Sequence, residues 1–111
     1  MTDVKPEFKP FLSPMRDAVR FADIAEGAGM VGTVGDVHTV LLKQDGKLRA
    51  LTAICTHLRC IVQFKGDRKS IDCPCHGSRY NLDGTVLNGP AKEALESFAV
   101  EVRDGAIWVA R

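Results

Sequence analysis

CTHLRC, residues 55–60, and CPCHGS, residues 73–78, hold all four cysteines of a 111-residue chain and two of its three histidines. Between them, IVQF and SIDC flank KGDRK, a pattern that predicts a β-hairpin over roughly residues 64–72. A hairpin brings its two ends together. The two clusters therefore lie in loops at strand ends and meet in space.

Working outward, further turn signals punctuate short strand-like segments. Asp45-Gly46 separates VHTVLLK from KLRALTAI, Asp83-Gly84 separates RYNL from TVL, and Asp104-Gly105 separates SFAVEV from AIWVA. Asp-Gly between alternating segments is a hairpin signature. AVRFADI, residues 18–24, also has strand composition, whereas EGAGM and KEALES have room for a helical turn or two at most. The pattern predicts an all-β sandwich or barrel. Residues 1–16 read as an extended N-terminal arm, because Pro6, Pro10 and Pro14 exclude a helix. Residues 17–111 read as one domain, and there is no internal repeat or low-complexity segment.

Composition excludes several classes. The formal net charge is +1 with mixed signs along the chain, so nucleic acid is not expected as a partner. No apolar run approaches the ~18 residues of a transmembrane helix. The N-terminus lacks the apolar stretch of a signal peptide and carries no twin arginine. A soluble, cytoplasmic protein is the expectation.

Three chemistries use such a concentration of cysteine and histidine. Two structural disulfides would use the cysteines, but that framework belongs to secreted chains and leaves His57 and His76 without a role. Zinc takes four ligands, usually from C-x2-4-C pairs, whereas C-x4-C and C-x-C here supply six donors with the histidines. A third division pairs Cys55 with His57 and Cys73 with His76. Two thiolates on one iron and two imidazoles on the other hold a [2Fe-2S] cluster. Cys60 and Cys75 then remain, one in each loop, where a disulfide would tie the loops together. Spacing alone leaves all three open.

C-T-H-x-x-C followed by C-P-C-H-G-S resembles the Rieske [2Fe-2S] iron–sulfur proteins, in particular the soluble high-potential type. The likeness extends to Ser78-Arg79-Tyr80 and to Asn88-Gly89-Pro90-Ala91, which is similar to the family's third, proline-containing loop. The resemblance implies a Rieske domain of stacked antiparallel sheets with two cluster-binding loops at strand ends. It implies Cys55 and Cys73 on the inner iron, and His57 and His76 on the outer iron near solvent. Cys60 and Cys75 would form the disulfide. Ser78 would donate its hydroxyl to a bridging sulfide and Tyr80 to the Cys55 sulfur. Gly89 and Pro90 would belong to the loop covering the cluster. His38 has no cysteine nearby and is not expected to be a ligand.

Neutral imidazoles in place of two thiolates remove negative charge, so adding an electron becomes easier. Such centres lie at about −150 to +300 mV, against about −400 mV for plant-type ferredoxins. In the family, the Ser78 and Tyr80 hydroxyls and the disulfide mark the high-potential branch. Each bound imidazole keeps one exchangeable proton, which it releases more readily when the iron is oxidised, so the potential should fall as pH rises. One position departs from the commoner C-T-H-L-G-C: Arg59 stands where many quinol-complex relatives have glycine. That substitution bears on partner docking and, where the glycine has positive φ, on backbone strain.

The resulting expectation is a soluble one-electron carrier, a Rieske-type ferredoxin, and not an enzyme. An oxygenase needs a further iron on two histidines and a carboxylate, and His38 alone remains. A cytochrome, reductase or oxygenase would be donor or acceptor. The alternatives are the electron-transfer subunit of a quinol-oxidising respiratory complex, with quinol as reductant, or the ferredoxin of a Rieske oxygenase system. A disulfide is unusual in cytoplasm, which leaves export by a route the sequence does not show as a second expectation for location.

Overall fold

The computed structural model describes residues 7–57 and 59–111; residues 1–6, with Pro6 of the predicted arm, lie outside that description. Among the described residues there are eleven strands: β1 (Phe8–Leu12), β2 (Gly29–Val34), β3 (Val37–Gln44), β4 (Lys47–Thr52), β5 (Gln63–Lys65), β6 (Ser70–Asp72), β7 (Arg79–Tyr80), β8 (Val86–Asn88), β9 (Ser97–Phe98), β10 (Val100–Arg103) and β11 (Ala106–Ala110). They form a seven-stranded sheet, β10-β11-β1-β2-β3-β4-β9, and a four-stranded sheet, β5-β6-β7-β8. Every strand pairing is antiparallel.

The predicted hairpins form as their turn residues dictate. At β3–β4, Asp45 and Gly46 have φ of 54° and 74°, and at β10–β11 Asp104 and Gly105 have 51° and 82°. Two successive left-handed residues give the turn whose twist matches that of paired strands. The β5–β6 hairpin covers Gln63–Asp72 in continuous register.

Four segments differ from the sequence expectation. Phe8–Leu12, within the segment read as an arm, is β1 and lies between β11 and β2. Pro10 is accommodated there, opposite Trp108. The 18–24 segment is not a strand: it makes isolated bridges at Ala18 and Arg20, then a short 3-10 turn over Phe21–Asp23. The Asp23 carboxylate accepts the Arg20 N–H at 3.0 Å, a local bond that competes with strand pairing. EGAGM is not helical either, since Gly29 and Met30 open β2, and KEALES is irregular up to Ser97, which opens β9.

The core has two parts because β3 and β4 are covered on both faces. Val40, Leu42 and Leu51 face the small sheet and pack with Ile71, Tyr80, Cys55 and Cys73. Leu41 and Ala50 point the other way, to Phe11, Val34, Ile107 and Val109. This is why residues 39–42 of β3 are all buried in succession, without the alternation of a strand exposed on one face. β4 pairs directly with β9, so residues 53–96 leave the large sheet and return beside their point of departure. The small sheet is this excursion, and both cysteine loops lie at its ends.

Candidate metal centre

The two loops are built alike. In the first, the Cys55 N–H donates to the Cys60 carbonyl at 2.7 Å; in the second, the Cys73 N–H donates to the Ser78 carbonyl at 2.7 Å. Each six-residue loop is thus closed at its base by one backbone hydrogen bond. Each buries its first cysteine, with Cys55 at 1% and Cys73 at 3% exposure, and leaves its histidine exposed. The His57 and His76 rings meet edge to face, with centroids 5.3 Å apart and planes at 87°. Cys60 and Cys75 form a disulfide across the loops. His38 lies exposed on β3, where its carbonyl accepts the Ala53 N–H at 3.0 Å.

The sulfurs of Cys60, Cys73 and Cys75 lie within 4.8 Å of one another, but two of them are consumed by the disulfide. The donors left are the Cys55 and Cys73 sulfurs and the two imidazoles. Burial pushes the Cys73 thiol up, and the neighbouring Cys55 sulfur adds to this, while the Cys75 and His76 backbone N–H groups pull it down. A thiol held protonated in this way is deprotonated when it binds a cation.

Tyr80, at the centre of the small sheet, is fully buried and carries its hydroxyl to 3.3 Å from Cys55 Sγ. The same hydroxyl lies 3.0 Å from Thr56 Oγ1 and accepts the Thr56 N–H at 3.3 Å. Burial, then the bond with Cys55, raises the phenol's pKa, so Tyr80 stays a proton donor. Ser78 is also fully buried; its Oγ accepts the Ala91 N–H at 3.1 Å. Among the described residues no acceptor takes the Ser78 hydroxyl proton. A buried hydroxyl with an undonated proton, beside two buried thiols, fits a bound group that brings acceptor atoms of its own.

The third loop backs onto the second. Gly89 has φ of 97°, and a Cβ there would stand 2.6 Å from Ser78 Cα and 2.8 Å from the Gly77 carbonyl. Only glycine permits both that conformation and that approach. Pro90, next to it, is exposed, and Ala91 is buried. The third loop is also tied to the first: Thr56 Oγ1 donates to the Glu93 carbonyl at 2.8 Å. Arg59 is exposed and has φ of 62°, so this position does use the conformation a glycine would favour.

The two cluster motifs therefore meet, through the His57–His76 ring contact, the Cys60–Cys75 bond and the sulfur of Cys73 beside it. Thr56 and Glu93 were not legible from sequence. A threonine hydroxyl between a cysteine and a histidine carries no spacing signal, and Glu93 contributes only a backbone carbonyl.

The model of the Rieske [2Fe-2S] domain matches residues 16–99. The cytochrome b6-f complex iron-sulfur subunit of Chlorobaculum tepidum is 36% identical over 88 residues, covering 79% of this chain and 49% of the relative. The chain spans about half the length of this relative and of the corresponding subunit 1 of Synechocystis. Among solved structures, the cyanobacterial plasma membrane Rieske protein PetC3 from Synechocystis PCC 6803 aligns with a TM-score of 0.66 and 30% identity, covering 73% of this chain and 84% of that one. The ferredoxin of carbazole 1,9a-dioxygenase from Nocardioides aromaticivorans IC177 shares the fold, with a TM-score of 0.65 at 20% identity over 84% of this chain and 96% of that one.

Proposed function

The chain belongs to the Rieske [2Fe-2S] domain family, an electron carrier with a cluster bound by cysteine and histidine and not an enzyme, and we propose that it is a high-potential one-electron carrier. Cys55 and Cys73 hold one iron, and His57 and His76 hold the other. When bound, the cluster takes up and returns a single electron. The buried cysteines anchor it in the core, and the exposed imidazoles present it to a redox partner. The disulfide fixes the first loop to the second. Gly89 and Pro90 cover the cluster from the side of the third loop. The unit that does this is residues 17–111, together with the β1 strand on which its large sheet depends.

The observation that carries the high-potential reading is the Tyr80 hydroxyl 3.3 Å from Cys55 Sγ. A hydrogen bond to a ligating sulfur withdraws negative charge and favours the reduced state. Ser78 supports the same reading, since its proton is left for an acceptor on the cluster. His57 and His76 are exposed, so their second nitrogens can exchange protons with water, and the potential falls as pH rises.

The reading as a freely diffusing carrier stands beside one as the electron-transfer part of a quinol-oxidising complex. The likeness to a b6-f subunit favours the second. Among the described residues no helix is long and apolar enough to cross a membrane. Cytochromes or quinol are the partners in either case. An oxygenase-ferredoxin role is less well supported, because it does not call for the Tyr80 bond or the disulfide.

The test is a visible and EPR spectrum before and after ascorbate, followed by potentials from pH 6 to 10. Reduction by ascorbate and a potential that falls with pH support the proposal. Reduction by dithionite alone, or a flat potential, overturns it.

A further inference from the structure

Thr56 stands beside Cys55 and has no role in the reading above, yet its hydroxyl sits in a chain of four atoms with a fixed number of protons. Glu93 contributes a carbonyl, which only accepts, 2.8 Å from Thr56 Oγ1. The single Thr56 hydroxyl proton is therefore spent on Glu93. Across the 3.0 Å gap between Thr56 Oγ1 and the Tyr80 hydroxyl, the donor must then be Tyr80. Tyr80 also has one hydroxyl proton, and Cys55 Sγ waits for it at 3.3 Å. Two acceptors compete for one donor. The backbone N–H of Thr56, which donates to the Tyr80 oxygen at 3.3 Å, holds the phenol in place between them.

We propose that Thr56 is a potential-setting positioning residue: its hydroxyl, oriented by the Glu93 carbonyl, draws part of the Tyr80 proton away from Cys55 and holds the potential of the centre below what Tyr80 alone would give. This rests on Cys55 being a cluster ligand. The direction of the chain is set in the third loop. Were the Glu93 carbonyl moved out of reach, the Thr56 proton would turn to Tyr80, and the Tyr80 proton would go wholly to sulfur. Hydrogen bonding to Cys55 is thereby linked to the position of the loop that carries Gly89 and Pro90.

The experiment is redox titration of cluster-loaded protein against a mediator of fixed potential, with Fe–S(Cys) stretching frequencies from resonance Raman as a second readout. Thr56→Val removes the competing acceptor at nearly constant volume. Its equilibrium constant for reduction should rise several-fold, and the Fe–S(Cys) frequencies should shift toward a more strongly hydrogen-bonded sulfur. Thr56→Ser keeps the hydroxyl and should match the wild type. Tyr80→Phe should lower the constant, and adding Thr56→Val to it should change nothing further. An unchanged or lowered constant in Thr56→Val overturns the proposal, as does the same displacement in the Tyr80→Phe background, which would mean that Thr56 acts through packing. Should Thr56→Val fail to load, Thr56→Ala carries the same expectation without the added branch. Cys55→Ser separates the two layers of the argument. An unaltered cluster in that variant sinks the ligand assignment beneath, whereas a colourless Cys55→Ser beside an unresponsive Thr56→Val sinks only the proton routing.

Discussion

The backbone N–H of Ala91, in the third loop, donates to the hydroxyl oxygen of Ser78, in the second, at 3.1 Å. The bond joins two loops 13 residues apart in the chain and occupies an oxygen that is wholly buried. It also decides the direction in which Ser78 acts. With its oxygen accepting from Ala91, the hydroxyl has its proton left to give.

Ser78→Ala should therefore lower the reduction potential while the cluster is retained. A hydrogen bond to a charged group is worth about 1.5–3 kcal/mol. The part that differs between the two redox states corresponds to a shift on the order of tens of millivolts. Potentiometric titration of the variant checks this. An unchanged potential would mean that the Ser78 proton is not given to the cluster.

Arg59 holds a left-handed backbone conformation, with φ of 62°, in an exposed part of the first loop. A side chain in that region costs about 1 kcal/mol or more, which glycine does not incur, although glycine loses more freedom on folding. Arg59→Gly should stabilise the protein by about 0.5–1 kcal/mol, a rise of several degrees in Tm. Thermal unfolding of the two proteins at one pH is the check, and a lower Tm in the variant contradicts the strain argument.

Replacing both Cys60 and Cys75 by serine removes the cross-link between residues 15 apart. For a loop of that length the loss is about 3 kcal/mol. The consequence should be largest at the site, because the disulfide joins the two loops that carry all four proposed ligands. The double variant should unfold at lower temperature and lose its colour faster on dilution. Equal rates of cluster loss would show that the loops hold together without the bond.

Asp83, in the turn between β7 and β8, accepts from the Thr85 hydroxyl at 2.6 Å and the Thr85 N–H at 2.9 Å. These two bonds hold its carboxyl below the usual range. The folded pKa is thus lower than the unfolded one, near about 4. The stabilisation is present above that value and is lost as pH falls through the folded pKa. Asp83→Asn should have a lower Tm than the wild type at neutral pH, and the gap should close on acidification below pH ~4. A gap independent of pH would assign the effect to turn geometry instead of charge.

The legible part of this protein was chemical and local. Four cysteines and two histidines between residues 55 and 76 marked the site as disulfides, zinc or an iron–sulfur cluster, the family motifs selected the last, and the Asp-Gly pairs announced hairpins, because each signal lies within a few adjacent residues. β2, GMVGTV, went unread, since its first two residues belong to the EGAGM segment given room for a helical turn, although it runs into Gly35-Asp36 with Gly35 at φ of 60°. The 18–24 segment misled because strand composition does not require a partner strand, and here none runs alongside it for more than single bridges.

By itself, then, the sequence determined the ligand types, their spacing and the turns that separate the strands, since these depend on residue identity and near neighbours alone. Only the tertiary structure decided the rest. It placed Phe8–Leu12 between β11 and β2, a pairing across nearly the whole chain. It brought the Thr56 hydroxyl up to the Tyr80 hydroxyl beside Cys55, and tied the first loop to the Glu93 carbonyl beyond the third. Those relations depend on how two sheets pack around one core. They are set by the sum of many weak burial terms and not by any short motif.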